Sequence, residues 1–147
     1  MPTLELTVGL PASGKSTYAR ELVSRARPGT LARVNRDDIR VNVFGGRVFG
    51  RDVEDKVSIV QHAAVSELLR AGVSVIVDDT NLISRHRLAL AEIADKHGAA
   101  VQLTPFLNVP LSVCLERNRA RPESEFVPED AIRRMHEKWI KSGQWRG

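Results

Sequence analysis

The stretch that decides the fold is Gly9-Leu10-Pro11-Ala12-Ser13-Gly14-Lys15-Ser16, which matches the Walker A pattern Gly-x-x-x-x-Gly-Lys-Ser in full. An apolar segment with Leu4, Leu6 and Val8 precedes it, and the spacing predicts a helix over residues 15–25. Glycines let backbone N–H groups wrap around phosphate oxygens, and the helix N-terminus adds a partial positive charge. The stretch therefore predicts a nucleoside triphosphate site between a strand and a helix.

The residues of this loop have expected tasks. Lys15 is expected to reach the β- and γ-phosphates, Ser16 to hold Mg²⁺, and Thr17 to bond another phosphate oxygen. ATP and Mg²⁺ are therefore the expected cofactors. The residues expected to bind the nucleotide in this loop are Gly9, Pro11, Ala12, Ser13, Gly14, Lys15, Ser16 and Thr17.

Outward from the loop, short apolar segments alternate with segments of helical periodicity. Strands are predicted at residues 4–8, 31–34, 73–77 and 101–107, with helices at 15–25, from a cap at Asn35, at 53–71, 84–97, 110–119 and 128–141, and a loop at 45–52. Repeated strand–helix units predict an α/β fold with a parallel sheet covered by helices on both faces. The functional site is then expected at the carboxyl edge of the strands.

Composition bounds the function classes. The 147 residues are 42% hydrophobic, which suits one P-loop domain over residues 1–147. Cys114 is the only cysteine, which excludes a disulfide framework or a cysteine-rich zinc site. The start lacks the pattern of a secretory signal and no apolar run approaches the length of a membrane helix, so a cytoplasmic protein without membrane contact is expected. The net charge of +4 permits a polyanionic partner without identifying one.

A Walker A loop leaves the destination of the phosphate open. The chain has no room for the extra domains of a motor or an ABC-type ATPase, and it has no Asn-Lys-x-Asp motif for guanine. Small P-loop proteins of this size are mostly kinases of nucleotides, small metabolites or nucleic-acid ends. The sequence therefore favours a kinase.

Acidic and basic residues at the predicted strand ends are the candidates for the acceptor side. Asp37 is placed to accept a proton from an attacking hydroxyl, and Arg40, one turn later, to hold an acceptor phosphate. The competing interpretation is that Asp37 and Asp38 only stabilise the positive end of a helix. Of Asp78 and Asp79, one is expected to face the Mg²⁺–phosphate region.

Two arginines mark a candidate helical lid at about residues 117–127. Arg117 and Arg121 lie four residues apart, and the sequence predicts that they share a helix face before a loop rich in Pro and Glu. A lid there would neutralise charge that develops in the transition state. The alternative is a solvated basic stripe.

Taken together, these motifs resemble the polynucleotide 5′-hydroxyl kinase family, in particular the kinase domain of its bacteriophage members. The resemblance spans Leu4 to about Trp139. The segments that carry it, in order, are Gly9–Thr17, Val34–Arg40, Asp79–Leu82, Arg117–Arg121 and Val127–Met135.

The resemblance implies transfer of phosphate from ATP to a 5′-hydroxyl end of DNA or RNA. By motif position, it implies that Asp37 is the general base, that Arg40 grips the neighbouring nucleotide's phosphate and that Asp79 organises the acceptor side. It also implies that Arg121 binds the donor phosphates from the lid, with Arg117 as its neighbour. It implies a nucleic acid as the partner and leaves open DNA against RNA, single strand against duplex end, and the oligomeric state.

The chain departs from the family in two respects. It has no Asp-x-Asp-Gly-Thr phosphatase motif, so no 3′-phosphatase activity is expected. The segment between Arg40 and the Asp79 strand is also shorter, and that segment is expected to form the mouth of the acceptor site. Two rival functions therefore stay open: a kinase of another hydroxyl, such as a hydroxymethylated pyrimidine in DNA, a nucleoside or a small metabolite, and a non-catalytic ATP-binding switch.

Overall fold

Four parallel strands form one sheet in the computed structural model, which describes all 147 residues. In chain order the strands are β1 (Thr3–Val8), β2 (Leu31–Val34), β3 (Ser74–Val77) and β4 (Ala100–Pro105). Their order across the sheet is β2-β3-β1-β4, and each neighbouring pair is parallel. The predicted α/β architecture with a parallel sheet is confirmed.

Helices occupy the connections between strands and the C-terminal part of the chain. They are α1 (Lys15–Arg25), α2 (Arg36–Phe44), α3 (Arg51–Arg70), α4 (Ser84–Lys96), α5 (Leu111–Arg119) and α6 (Glu129–Met135). Single 3₁₀ turns follow at Glu123–Glu125 and Gln144–Arg146, and a π-helical stretch lies at His136–Lys141. No helix has both the length and the apolar character needed to cross a membrane.

The two central strands are buried on both faces. Val75, Ile76 and Val77 of β3 are consecutive and have no exposed surface, as in parallel strands that are covered on both sides. On one face, Leu4 and Leu6 of β1 belong to a core cluster built with side chains of α3 and α4. On the opposite face, Glu5 of β1 accepts a hydrogen bond from Tyr18 of α1 at 2.6 Å.

The edge strand β4 is less covered than the sequence predicted. Val101 is 41% exposed and Leu103 is 46% exposed, so the helices do not enclose this side of the sheet. The strand also ends at Pro105 rather than at residue 107, because Leu107 leaves the sheet to pack against a second core cluster.

Helix boundaries agree with the predicted ones to within two residues, except at the end of the last helix. Asn35 caps α2 as predicted, since its side chain accepts a hydrogen bond from the Asp38 amide at 3.0 Å. Helix α3 begins two residues before the predicted position, directly after Gly50. The helix expected from residue 128 to 141 is α-helical only as far as Met135, where the π-helical stretch begins.

A buried ion pair joins β2 to the end of β3. Arg33 Nε donates to Asp78 Oδ2 at 2.6 Å, and Asn35 Nδ2 donates to Asp78 Oδ1 at 3.0 Å. The Asp78 side chain has no exposed surface, whereas Arg33 also reaches Asp38 at the protein surface. The pair therefore fixes the two strand ends on which the following loops are built.

Replacing Arg33 by alanine is expected to lower the free energy of unfolding by about 3 kcal/mol, because Asp78 then stays buried without its cation. Urea unfolding of Arg33→Ala measures this. The matched control is Arg70→Ala, which breaks an exposed pair with Glu67 and is expected to cost much less, because water screens that pair. Equal losses in the two variants would contradict the importance of the buried pair.

Candidate active site

The loops after β1, β2 and β3 meet at one edge of the sheet. Val34 pairs in register with Val77, and Leu6 pairs with the same residue from the other side, so the strands end at nearly the same level. The Gly9 amide donates to the Thr80 carbonyl at 3.0 Å and joins two of these loops. Above them lies a cavity of about 1580 Å³, larger than a typical site for one small molecule.

The loop between β1 and α1 lines one wall of this cavity in a strained conformation. Ala12 has φ 63° and Gly14 has φ 104°, both in the left-handed region, and an alanine there is uncommon. The first amides of α1 have no acceptor in a preceding turn of the helix. Backbone donors held in this way match the oxygens of a phosphate group. All predicted nucleotide-binding residues of the loop except Gly9 line the cavity.

Lys15 is buried below this loop with only neutral oxygen partners. Its Nζ donates to the Leu10 carbonyl and lies 3.4 Å from Ser13 Oγ. Burial lowers the pKa of Lys15 to about 8, against the opposing influence of Asp79 and then Asp78. An ammonium group without a hydrogen-bonded anion in a buried position suits an anionic ligand. The site therefore fits the phosphates predicted from the sequence.

Asp37 lies in the first turn of α2, in the same cavity. Its Oδ1 accepts a hydrogen bond from Arg40 Nη1 at 2.8 Å, and its Oδ2 accepts one from Arg47 Nη2 at 2.9 Å. The side chain is 44% exposed, so a ligand can reach it. A carboxylate oxygen carries two lone pairs, and each oxygen of Asp37 keeps one for a hydroxyl donor.

Glu54 fixes Arg40 beside Asp37. Both carboxylate oxygens of Glu54 accept hydrogen bonds from Arg40, and Arg36 binds the same carboxylate at 2.9 Å. Burial disfavours the charge of Glu54, but the hydrogen bonds from these two arginines outweigh it and lower the pKa of Glu54. Arg40 itself is buried, with 8% of its side chain exposed, and is therefore held in one orientation.

Asp79 binds the start of α2 and a side chain of α3. Its Oδ1 accepts from the Arg36 amide at 2.9 Å, and its Oδ2 accepts from Gln61 Nε2 at 2.7 Å. Burial raises the pKa of Asp79 to about 6. Both oxygens of Asp78 are held by Arg33 and Asn35. Of the two acids, Asp79 also has the stronger electrostatic influence on Lys15.

The two arginines of the predicted lid line the cavity but do not share a helix face. Helix α5 ends at Arg119, so Arg121 lies in the turn that follows it, and the expected helical pairing of Arg117 with Arg121 is wrong. The chain turns there because Pro122 cannot continue the helix. Neither arginine forms an ion pair, and burial lowers the pKa of Arg121. The segment beyond is a single 3₁₀ turn.

Sequence reasoning missed three side chains that shape this cavity. Arg47 and Phe49 lie in the predicted loop and Glu54 lies in a predicted helix, and the sequence indicates no role for any of the three side chains. Arg47 bridges Asp37 to the Ser124 carbonyl of the lid segment, with a hydrogen bond of 3.0 Å to the latter. The only signal in the sequence was the cluster of glycines around Arg47, which predicts a turn but not where its side chains point.

Comparison with known proteins identifies relatives over nearly the whole chain. The chain is 32% identical over 144 residues to an L-seryl-tRNA(Sec) kinase of Methanococcus maripaludis, covering 95% of this chain and 53% of that protein. It is 26% identical over 151 residues to the "Putative bifunctional polynucleotide kinase/RNA ligase" of Autographa californica nuclear polyhedrosis virus, covering 94% of this chain and 21% of that protein. The chain thus spans about half the length of the first relative and a fifth of the second.

Among solved structures, one chain of the Pnkp1/Rnl/Hen1 RNA repair complex superposes with a TM-score of 0.79 and 29% identity. The match covers 99% of this chain and 46% of that one. The family model described as an AAA domain, AAA_33, matches residues 4–142. The chain therefore belongs to the AAA_33 family, as a P-loop domain of the polynucleotide kinase type.

Proposed function

We propose that this chain transfers the γ-phosphate of ATP to the 5′-hydroxyl end of DNA or RNA. The observation that carries the proposal is the position of Asp37. This carboxylate, oriented by Arg40 and Arg47, lines the same cavity as the phosphate-binding loop. A base and a donor site that share one cavity suit in-line transfer between two bound substrates.

The phosphate-binding loop holds the donor. Lys15 and the amides at the start of α1 bind the β- and γ-phosphates of ATP, and Thr17 bonds a further phosphate oxygen. No group of three or more His, Cys, Asp or Glu side chains is arranged to hold a metal ion. Ser16 would hold Mg²⁺ together with phosphate oxygens, and the ion would neutralise phosphate charge there.

The transfer step has a defined balance of bonds. The acceptor oxygen forms a bond to the γ-phosphorus, and the bond between that phosphorus and the bridging oxygen to the β-phosphate breaks, so ADP leaves. The proton of the hydroxyl passes to Asp37. Asp79 supports the acceptor side through the start of α2. Arg121 and Arg117, which have no carboxylate partner, neutralise charge on the donor phosphates.

Residues 117–127 act as the lid over these phosphates, and residues 1–147 form one P-loop kinase domain. Arg47 supports this role of the lid, because its hydrogen bond to the Ser124 carbonyl joins the segment to the Asp37 side of the cavity. Lid closure excludes water, which would otherwise compete with the acceptor hydroxyl.

The nucleic-acid acceptor is supported by arginine chemistry and by the relatives. Arg40, Arg47, Arg117 and Arg121 all line the cavity, and guanidinium groups match phosphate oxygens in geometry and charge. Two of the matched proteins carry polynucleotide kinase or RNA repair in their names. The kinase named for seryl-tRNA supports a second candidate acceptor, an aminoacyl hydroxyl carried on RNA.

Label from γ-labelled ATP is expected to appear on 5′-OH DNA and RNA oligonucleotides in the presence of Mg²⁺. Controls carrying a 5′-phosphate are expected to stay unlabelled because they offer no acceptor at that end. Gel analysis after incubation measures the transfer, and Lys15→Ala is expected to abolish it. Label on seryl-tRNA alone would contradict the 5′-end acceptor and favour the second candidate, whereas label on neither the oligonucleotides nor seryl-tRNA would contradict both.

Replacing Asp37 by asparagine is expected to lower kcat at least about 100-fold, because the amide cannot take the proton. ATP affinity is expected to change less than about twofold, since Asp37 is not part of the phosphate-binding loop. Kinetics and equilibrium ATP binding on the same preparation separate the two effects. Asp38→Asn is the matched control, because Asp38 pairs with Arg33 away from the reaction. A parallel loss of ATP binding in Asp37→Asn would argue against a base.

ATP affinity is expected to fall as the pH rises above about 8, the pKa of Lys15 in the free protein. Bound phosphate raises this pKa, so binding above pH 8 must recruit a proton, and affinity drops by up to about tenfold per pH unit. Below pH 7 the amine is already protonated and contributes no pH dependence. Titrations from pH 7 to 9.5 measure the effect. Lys15→Arg keeps its charge over this range and is expected to lose the pH dependence. A wild-type ATP affinity that does not change with pH would contradict the assignment of this dependence to Lys15.

A further inference from the structure

Phe49 exposes an aromatic ring inside the cavity. It lies in the connection between α2 and α3, just before Gly50, and it is among the residues that line the cavity. Its exposed fraction of 63% is the highest among the four phenylalanines of the chain. A phenylalanine this exposed contributes little to the hydrophobic core, so its position calls for another explanation.

The backbone holds this ring in place from both sides. Gly50 has φ 125° at the start of α3, a conformation that side-chain-bearing residues avoid. Two residues before Phe49, Arg47 is tied to Asp37 and to the Ser124 carbonyl. The ring therefore projects from a short segment that is anchored on the α3 side and on the lid side.

The ring also lies directly against the proposed phosphate ligand of the acceptor. The guanidinium carbon of Arg40 is 4.8 Å from the centre of the Phe49 ring. Arg40 is fixed by Glu54 and by Asp37, the latter at 2.8 Å. The Arg40 side chain alone thus separates Phe49 from Asp37, the proposed general base. A cation under one face of the ring leaves the remaining surface free for a second planar group.

We propose that Phe49 is a nucleobase subsite, on which a base at the 5′ end of the acceptor stacks. The inference rests on the proposed function, since it places the base next to the hydroxyl at Asp37 and the phosphate at Arg40. Stacking on an aromatic ring tolerates any base, because every base has a π-face. The subsite therefore selects acceptors that carry a base over hydroxyl compounds that carry none.

The alternative is that Phe49 only covers the Arg40–Glu54 ion pairs. Three substitutions separate the two roles. Phe49→Ala removes both the cover and the stacking surface, Phe49→Leu restores an apolar cover without an aromatic face, and Phe49→Trp keeps the aromatic face. The acceptors are 5′-OH oligonucleotides of one sequence, either intact or abasic at the first or the second nucleotide.

Removing the base at one of these two positions is expected to raise the acceptor KM of the wild type about tenfold. Phe49→Ala and Phe49→Leu are expected to raise the KM for the intact acceptor by a similar factor. In these two variants, the acceptor that lacks the stacked base is expected to have the same KM as the intact one. Phe49→Trp is expected to behave like the wild type. Because the base and the ring form one contact, their losses are not additive.

Three results would overturn the inference while leaving the proposed function intact. The first is that removing the base raises KM as much in Phe49→Ala as in the wild type, at both nucleotide positions. The second is a wild-type KM in Phe49→Leu, and the third is a fall in kcat with unchanged KM in Phe49→Ala. The last would indicate that the ring merely supports Arg40. Absence of transfer to every oligonucleotide by the wild type would overturn the proposed function itself.

A binding measurement gives a readout that is independent of turnover. In Phe49→Trp, the new indole emission is expected to be quenched by the intact acceptor and not by the abasic one. The wild type, with Trp139 and Trp145 only, supplies the background titration. Equal quenching by both acceptors would contradict stacking at this position.

Discussion

The parallel register of β1, β2 and β3 is the constraint on which the rest of the structure depends. Because these strands end at nearly the same level, the three loops that follow them are forced together. Asn81 secures the arrangement, as its amide donates to the carbonyls of Thr7 and Val77 from two adjacent strands. The polar residues of these loops are therefore adjacent in space because the strand register brings the loops together.

Part of the cavity is lined by cationic side chains that form no ion pair. Arg36 and Arg40 share the carboxylate of Glu54, and Arg40 also pairs with Asp37, whereas Arg117 and Arg121 have no carboxylate partner. Lys15 is also buried without a carboxylate bonded to it, which is costly and fits a site whose ligands bring the missing negative charge.

Elements governed by local patterns could be predicted from the sequence. The β-branched run of β3, the Asn35 cap and the phosphate-binding loop each carry their signal within a few residues. The resemblance adds further candidate site residues from the order of their motifs, and these residues line one cavity in the structure. Their roles stay predictions.

Features that depend on long-range packing could not be predicted. The bridge from Arg47 to the lid joins residues 77 positions apart, and nothing in the glycine-rich stretch encodes its partner. The exposure of Val101 is equally invisible, since an apolar residue at an edge strand has the same local pattern as a buried one. Arg121 lies in the turn between α5 and Pro122 and not on a helix face with Arg117, because the chain leaves the helix before the proline.

The bridge made by Arg47 has a consequence for timing. The same guanidinium holds Asp37 and the Ser124 carbonyl, so lifting the lid segment removes one of the two supports that orient the carboxylate. Under the proposed function, in which residues 117–127 cover the donor and Asp37 is the general base, covering the donor and orienting the carboxylate are parts of one conformational equilibrium, and each biases the other by the same free energy. A triphosphate exposed to solvent would then face a less firmly oriented carboxylate, which would protect it from premature hydrolysis.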